Sequence, residues 1–207
     1  MSGHVILLHG IWMRGFTLGP FARRLRDAGF ASITTLDYAS VSGTLEVAVD
    51  RLAARMRAAE GEPVHVVGHS LGGMLAVETA RRVADLPSGR IVCLGSPLRG
   101  SAAARGADRV RLGRWIMGNS ADILTRGFDR WEGPRELGVV AGLTPLGLGR
   151  LFGRFDGPHD GTVSVAETLL PGTTDHCTVA ATHSGLVFST EVATLVAGFL
   201  RSGRFPR

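Results

Sequence analysis

The side chain best placed for nucleophilic chemistry is the serine of residues 68–72, which read Gly-His-Ser-Leu-Gly. An apolar, strand-like run at 64–68 precedes this serine, and a helical pattern at 71–84 follows it. A sharp turn between a strand and a helix lifts a serine oxygen clear of the backbone, and the helix N-terminus faces any negative charge that develops there. The two glycines leave room for the neighbouring strand and helix. We therefore predict Ser70 as a nucleophile, the alternative being a serine that merely caps the helix.

A serine hydroxyl is a weak nucleophile, so it needs a base and an acid that orients the base. His183 follows the last strand-like run and precedes the final helix, which would place its ring above the strand ends. Asp160 lies in the loop stretch after the preceding strand, and the order Ser, Asp, His is the one expected for a serine on such a turn. Asp156 is the alternative acid. Asp160 is favoured because its Gly-x-Val continuation gives a tight turn into an apolar segment.

The oxygen that becomes negative during attack by Ser70 needs two backbone N–H donors. We predict that Leu71, directly after the serine, supplies one, and that Ile11, in the loop after the first strand, supplies the other. His9, just before this loop, is expected to brace it. The remaining histidines do not pair with acidic residues at the spacing of a metal site, so neither a metal nor a cofactor is predicted.

Short apolar runs alternate with amphipathic patterns along the chain. The runs predict strands at residues 4–9, 31–36, 64–68, 91–95, 137–141 and 176–181. Helical spacing of apolar residues lies between them, at 18–25, 45–56, 71–84 and 192–200. This alternation predicts an α/β fold with a doubly wound, mainly parallel sheet, helices on both faces and strands buried on both sides.

The composition fits one domain over residues 1–207, since 44% of the residues are apolar and 20% are charged. The net charge is +5, and all 23 basic residues are arginines. No basic stripe with interleaved aromatics is visible, so nucleic-acid binding is not expected. No run is long enough to cross a bilayer and no signal peptide is apparent, so a cytoplasmic protein is expected. Cys93 and Cys177 are predicted to be small buried hydrophobes.

The segment at about 99–135 interrupts the rhythm of strands and helices with glycines, arginines and aromatics, and we predict a cap-like insertion over the edge of the sheet. Such a cap would line an acyl pocket with Trp12, Trp115, Ile116 and Leu124. Its arginines would then attract the anionic group of a substrate, or an anionic lipid surface. The alternative is a pair of surface helices that pack their aromatic side chains into the core.

Together these residues resemble the lipase and esterase branch of the α/β-hydrolase family. The shared motifs are His9-Gly10, Gly68-His-Ser-Leu-Gly-Gly73, Gly95-Ser-Pro-Leu-Arg-Gly-Ser101, Asp160-Gly-Thr-Val163 and His183. The resemblance implies a compact α/β-hydrolase fold and a serine hydrolase that cleaves small-molecule carboxylic esters through Ser70, Asp160 and His183, without a cofactor. A thioesterase or acyltransferase with the same three residues is the alternative enzyme, and a non-catalytic binding scaffold is the alternative from another class. The oligomeric state is not indicated.

Overall fold

In the computed structural model, which describes residues 3–59, 63–108, 117–147, 155 and 157–207, a parallel sheet forms the centre of the molecule. Its strands are β1 (His4–Leu8), β2 (Ile33–Leu36), β3 (Val64–His69), β4 (Ile91–Leu94), β5 (Leu137–Gly142) and β6 (Asp175–Val179). The order across the sheet is β2-β1-β3-β4-β5-β6, and every neighbouring pair is parallel. The predicted fold class is therefore confirmed.

Seven α-helices are found among the described residues. They are α1 (Gly19–Asp27), α2 (Leu45–Arg57), α3 (Leu71–Arg82), α4 (Ala102–Asp108), α5 (Ala121–Arg126), α6 (Val165–Thr168) and α7 (Thr190–Ser202). Two of the predicted long helices begin at capping side chains, since Thr44 accepts the Val47 N–H and Ser189 accepts the Val192 N–H. The last helix is followed by Gly203 in the left-handed conformation, which glycine adopts at little energetic cost.

The helices cover both faces of the sheet because alternate strand residues point to opposite sides. Ile6 and Leu8 of β1 pack in a core cluster with α2, α3 and α5. Val5 and Leu7 pack in a second cluster with α1 and α7. The two outermost strands depart from the prediction of burial on both faces, since most residues of β2 and β6 are only partly buried. Each of these edge strands has a neighbour on one side only.

The segment at 99–135, predicted as a cap-like insertion over the edge of the sheet, is only partly described. Its described residues form the connection from β4 to β5, which are neighbours inside the sheet. Ile123, Phe128 and Trp131 are buried in the cluster that also contains α2 and α3. In this part of the segment the aromatic side chains therefore pack into the core, as the alternative interpretation expects. Residues 109–116 lie outside the described residues, and a cap there stays a prediction.

Both cysteines are free thiols, Cys93 buried and Cys177 half-buried. Burial raises the pKa of each thiol to about 12, so both stay protonated at neutral pH. No helix in the described ranges combines the length and the apolar character that a membrane span needs.

Candidate active site

Ser70 lies on a strained turn between β3 and α3. Its φ of 53° and ψ of −120° fall outside the regions that non-glycine residues normally adopt. The flanking glycines make this turn sterically possible. A Cβ at Gly68 would lie 2.3 Å from the Gly73 nitrogen, and one at Gly72 would lie 2.6 Å from the Leu8 carbonyl oxygen. Backbone on both sides therefore packs closer to the turn than any side chain would allow.

Asp160 and His183 are joined by a short hydrogen bond, with 2.7 Å between Oδ2 of the carboxylate and Nδ1 of the ring. Asp160 is only 1% exposed, so its carboxylate depends on protein donors. A carboxylate can only accept, which assigns the proton of the His183 ring to Nδ1 and leaves Nε2 with a lone pair. This ring is thus held in the form that can accept a proton at Nε2.

The loop around Asp160 determines which of its oxygens faces His183. Oδ1 accepts the Thr162 N–H at 2.9 Å and the Val163 N–H at 2.7 Å, so Oδ2 is left for the ring. The Asp160 backbone carbonyl in turn accepts the His183 N–H at 2.9 Å. Gly142, the last residue of β5, lets the Asp160 side chain pack against the strand end, since a Cβ at Gly142 would lie 2.8 Å from the Asp160 Cβ.

The three residues predicted to act together all follow the carboxyl ends of strands. Ser70 follows β3, Asp160 follows β5 and His183 follows β6, so parallel pairing brings them to the same edge of the sheet. Within the described part of the chain, Ser70 and the His183 ring are not hydrogen-bonded to each other. Hydrogen bonds of this kind are often long without substrate and shorten in the reacting complex. The structure thus brings together the residues that the sequence predicted, without testing their roles.

The predicted oxyanion donors are the backbone N–H groups of Leu71 and Ile11. Leu71 is the first residue of α3, so its N–H has no acceptor within the helix. Ile11 lies in the turn after β1. This turn comes close to the serine, because a Cβ at Gly10 would lie only 3.2 Å from the Ser70 Cβ. The turn that contains Ile11 therefore lies close to the serine, Leu71 follows the serine directly, and the role of the two N–H groups stays a prediction.

His9 holds the turn after β1 in place. Its Nδ1 donates to the Gly10 carbonyl at 2.8 Å, its Nε2 accepts the Tyr38 N–H at 3.4 Å, and its ring stacks on Tyr38 with 4.4 Å between the ring centres. Burial lowers the pKa of His9, which favours the neutral ring, and a neutral ring donates at one nitrogen while it accepts at the other. These contacts fit the bracing role expected for this histidine.

The predicted pocket residues fall into three different situations. Trp12 directly follows Ile11, is 63% exposed and has a φ of 60°, an unusual conformation for a bulky residue. Leu124 is 6% exposed and packs in the core cluster that contains α2 and α3. Trp115 and Ile116 lie outside the described residues, as does Asp156, the alternative acid. Of the predicted pocket, only Trp12 is seen to present a large apolar surface next to the site.

Sequence reasoning missed two buried residues near the site. His69 contacts the His183 loop, through a 3.0 Å hydrogen bond from its Nε2 to the His183 carbonyl. Glu167 ties the Asp160 loop to α4, since its carboxylate accepts the N–H groups of Ser164 and Ala102. The Ser164-x-x-Glu167 spacing, which here forms a capping box on α6, was a visible signal for the second residue. Among the described residues, no group of histidine, cysteine and acidic side chains is arranged to hold a metal ion.

The fold is an α/β fold with Ser70 on a strained turn between a strand and a helix, and the comparisons with known proteins agree with the fold class. Residues 5–201 match the model of the alpha/beta hydrolase family, so the chain belongs to this family. No curated protein sequence matches it significantly.

Solved structures share the fold over nearly the whole chain. The mature form of lipase BlEst2 from Bacillus licheniformis has a TM-score of 0.75 at 18% identity, covering 99% of this chain and 93% of that chain. The pyrethroid hydrolase PytH has a TM-score of 0.68 at 17% identity, with coverages of 98% and 99%. The type II thioesterase BorB from the borrelidin biosynthetic cluster has a TM-score of 0.61 at 20% identity, with coverages of 97% and 92%. At these identities the likeness shows the fold and not the substrate.

Proposed function

We propose that this protein is a serine hydrolase that cleaves carboxylic esters through an acyl-enzyme intermediate. The observation that carries the proposal is the buried Asp160 carboxylate, whose Oδ1 accepts two backbone N–H groups and whose Oδ2 accepts the N–H of the His183 ring. A buried carboxylate that orients a histidine, on the same sheet edge as a serine in a strained turn, is the arrangement that activates a hydroxyl nucleophile.

The first half of the reaction acylates the serine. Ser70 Oγ attacks the ester carbonyl carbon while His183 Nε2 takes the hydroxyl proton. The carbonyl oxygen becomes negative and is held by the N–H groups of Leu71 and Ile11, with the N-terminus of α3 adding a favourable dipole. The C–O bond to the alcohol then breaks, the alcohol leaves with the proton from His183, and the acyl group stays on Ser70.

The second half regenerates the enzyme. His183 removes a proton from water as the water attacks the acyl carbon, and the same N–H groups hold the second oxyanion. Ser70 leaves with the proton from His183, and the carboxylic acid is released. Throughout, Asp160 keeps the His183 proton on Nδ1 and stabilises the ring while it is charged.

The surroundings of the site favour an apolar acyl group. Large apolar side chains are exposed on the segments that follow the carboxyl ends of β1, β5 and β6, namely Trp12, Phe16, Leu143, Leu146 and Phe188. A soluble polar substrate would gain little from these surfaces, whereas an alkyl chain would gain about 25 cal/mol for each Å² removed from water. We therefore expect esters of medium chain length to be better substrates than acetates.

The experiment that tests the proposal combines covalent labelling with ester hydrolysis. A fluorophosphonate probe should label the wild-type protein at Ser70, and p-nitrophenyl esters of graded chain length should be hydrolysed. Ser70→Ala should lose labelling and about a millionfold in kcat, as expected for removal of a triad nucleophile. Ser96→Ala is the matched control, because Ser96 is fully buried after β4 and cannot reach a probe.

Two outcomes would contradict the proposal. Labelling that persists in Ser70→Ala would place the nucleophile elsewhere. Ser70→Ala hydrolysis above about a thousandth of the wild-type rate would do the same. Thioesters and an alcohol acceptor belong in the same substrate panel, since a strong preference for either would favour the thioesterase or acyltransferase reaction over ester hydrolysis.

A further inference from the structure

His69 is the last residue of β3, and its ring lies between two loops of the candidate site. It is 3% exposed, and its ring centre lies 4.7 Å from that of His183. Its Nε2 is 3.0 Å from the backbone carbonyl oxygen of His183. Since Ser70 follows directly in the chain, this ring joins the segment that carries the nucleophile to the segment that carries the base.

The protonation state of His69 follows from its surroundings. Complete burial, together with the nearby His183, lowers the pKa of His69 to about 3. The ring is therefore neutral at every pH where the enzyme would work, and one nitrogen carries the proton. Because a carbonyl oxygen can only accept, that nitrogen is Nε2, and His69 donates to His183.

The opposite side of the ring lies against the turn after β1. A Cβ at Gly10 would lie 3.0 Å from Nδ1 of His69. Within the described residues Nδ1 has no hydrogen-bond partner, so this side of the ring makes van der Waals contact only. The ring thus separates the predicted oxyanion turn from the His183 loop, and it touches both.

With this bond, His183 is held at three points. Its backbone N–H donates to the Asp160 carbonyl at 2.9 Å, and its ring Nδ1 is 2.7 Å from the Asp160 carboxylate. Both of these contacts come from the Asp160 loop, so neither of them joins His183 to the strand that leads into Ser70. The bond from His69 joins the pair to the end of β3, the strand that leads into the serine.

We propose that His69 is a positioning residue, whose Nε2–H holds the His183 carbonyl and so fixes the base relative to Ser70. This inference rests on the proposed function, since it assigns His183 as the base. His69 would not touch the reacting atoms, and its effect would come through the placement of the His183 ring. A misplacement of about 1 Å in a reacting group can cost about a hundredfold in rate.

A pair of amide variants tests the proposal. In His69→Gln the side-chain NH₂ can reach the former Nε2 position, whereas in His69→Asn it reaches only as far as Nδ1. Both variants are polar and uncharged, so they differ mainly in the reach of the donor. His65→Asn is the control, because His65 is also buried on β3 but lies towards the other end of the strand.

We expect His69→Asn to lower kcat, and the rate of fluorophosphonate labelling of Ser70, by about 10- to 100-fold with little change in KM. His69→Gln and His65→Asn should stay within about threefold of wild type. Equal rates for His69→Asn and wild type would overturn the proposal, and so would a His69→Gln variant as slow as His69→Asn. If His69→Asn does not fold, His69→Gln decides alone, since a folded variant that keeps the donor but loses tenfold or more refutes the role.

The labelling rate separates this inference from the proposed function. A wild-type protein that the probe does not label would refute the proposed function itself. A wild-type protein that is labelled at the same rate as His69→Asn would leave the proposed function standing and remove only the positioning role.

Discussion

The replacement of Asp160 by asparagine tests the candidate site most sharply, because the structure dictates how the new amide must sit. Oδ1 of Asp160 faces the N–H groups of Thr162 and Val163 at 2.9 and 2.7 Å. The asparagine oxygen has to take that position, which turns its NH₂ group towards Nδ1 of His183. Since an NH₂ group donates, Nδ1 would have to accept, and the ring proton would move to Nε2. A ring protonated at Nε2 cannot take the proton of Ser70.

The size of the expected loss in kcat depends on the free-energy cost of flipping the asparagine amide. A flipped amide would lose two hydrogen bonds and aim its NH₂ group at two buried N–H donors, at about 1–3 kcal/mol for each N–H left unsatisfied. The total of about 2–6 kcal/mol keeps the flipped form below a few per cent. We therefore expect Asp160→Asn to lower kcat by about 10⁴, as in related triads where the histidine takes the wrong tautomer. This loss corresponds to about 5 kcal/mol in the activation free energy.

Steady-state hydrolysis of a p-nitrophenyl ester gives kcat, and the rate of fluorophosphonate labelling gives a second measure of serine reactivity. Because the two backbone hydrogen bonds persist, the variant should fold, which a thermal melt can check. Asp156→Asn is the comparison variant and should change kcat much less. A rate for Asp160→Asn within tenfold of wild type would refute the tautomer reasoning, and a larger loss in Asp156→Asn would transfer the role of the acid to Asp156.

Three further predictions concern the turn, the pH dependence of stability and the substrate. Gly72→Ala would place a Cβ 2.6 Å from a backbone carbonyl oxygen at the end of β1, so it should strongly lower the thermal midpoint and the esterase activity. In Gly19→Ala the new Cβ would have no atom within 4 Å, so neither quantity should fall. Equal melts for the two variants would contradict the steric explanation. Burial and two neighbouring guanidinium groups lower the pKa of His65 to about 4. As the pH falls, His65 therefore becomes protonated in the unfolded chain before it does in the folded chain. The contribution of neutral His65 to the free energy of unfolding is then fully present above about pH 6.5 and is lost as the pH falls towards 4, by about 2 kcal/mol between pH 7 and pH 5. In denaturant unfolding, the free energy of unfolding of His65→Asn should fall by about 2 kcal/mol less than that of wild type between pH 7 and pH 5. An unchanged pH dependence would exclude His65 as the cause of the loss. Trp12→Ala should shift ester preference towards shorter acyl chains, whereas Val47→Ala, equally exposed on α2, should not. An unchanged chain-length profile in Trp12→Ala would remove Trp12 from the pocket.

Local features of the fold were predictable because contacts within a few residues determine them. The turn at Ser70 needs small residues at Gly68 and Gly72, and both are visible in the sequence. Helices α2 and α7 are similarly marked by regular apolar spacing and by capping side chains just before their first residues. Such signals depend on steric rules that hold whatever the rest of the chain does.

Features set by distant contacts were not predictable in the same way. Which strands lie at the edges depends on the pairing order, so the partial exposure of β2 and β6 could not be inferred from their apolar content. The placement of Leu124 in the core depends on where α5 packs, and the sequence pattern was equally consistent with a pocket. The contact of His69 with His183 joins residues 114 positions apart, which no local spacing indicates.

The strand order also explains why the candidate site needs more than three residues. Neighbouring strands are about 4.8 Å apart, so β3 and β6, with two strands between them, are separated by about 14 Å. The segment after β6 must therefore return across the ends of β5 and β4 before His183 can approach Ser70. Asp160 meets it at β5, and Gly95 leaves space at β4, where a Cβ would lie 3.1 Å from both the Asp160 Oδ2 and the His183 Nδ1. His69 then contacts it from the end of β3. Each strand that this segment crosses contributes a contact or a space, so a substitution at any of these positions should shift the His183 ring without touching a substrate directly.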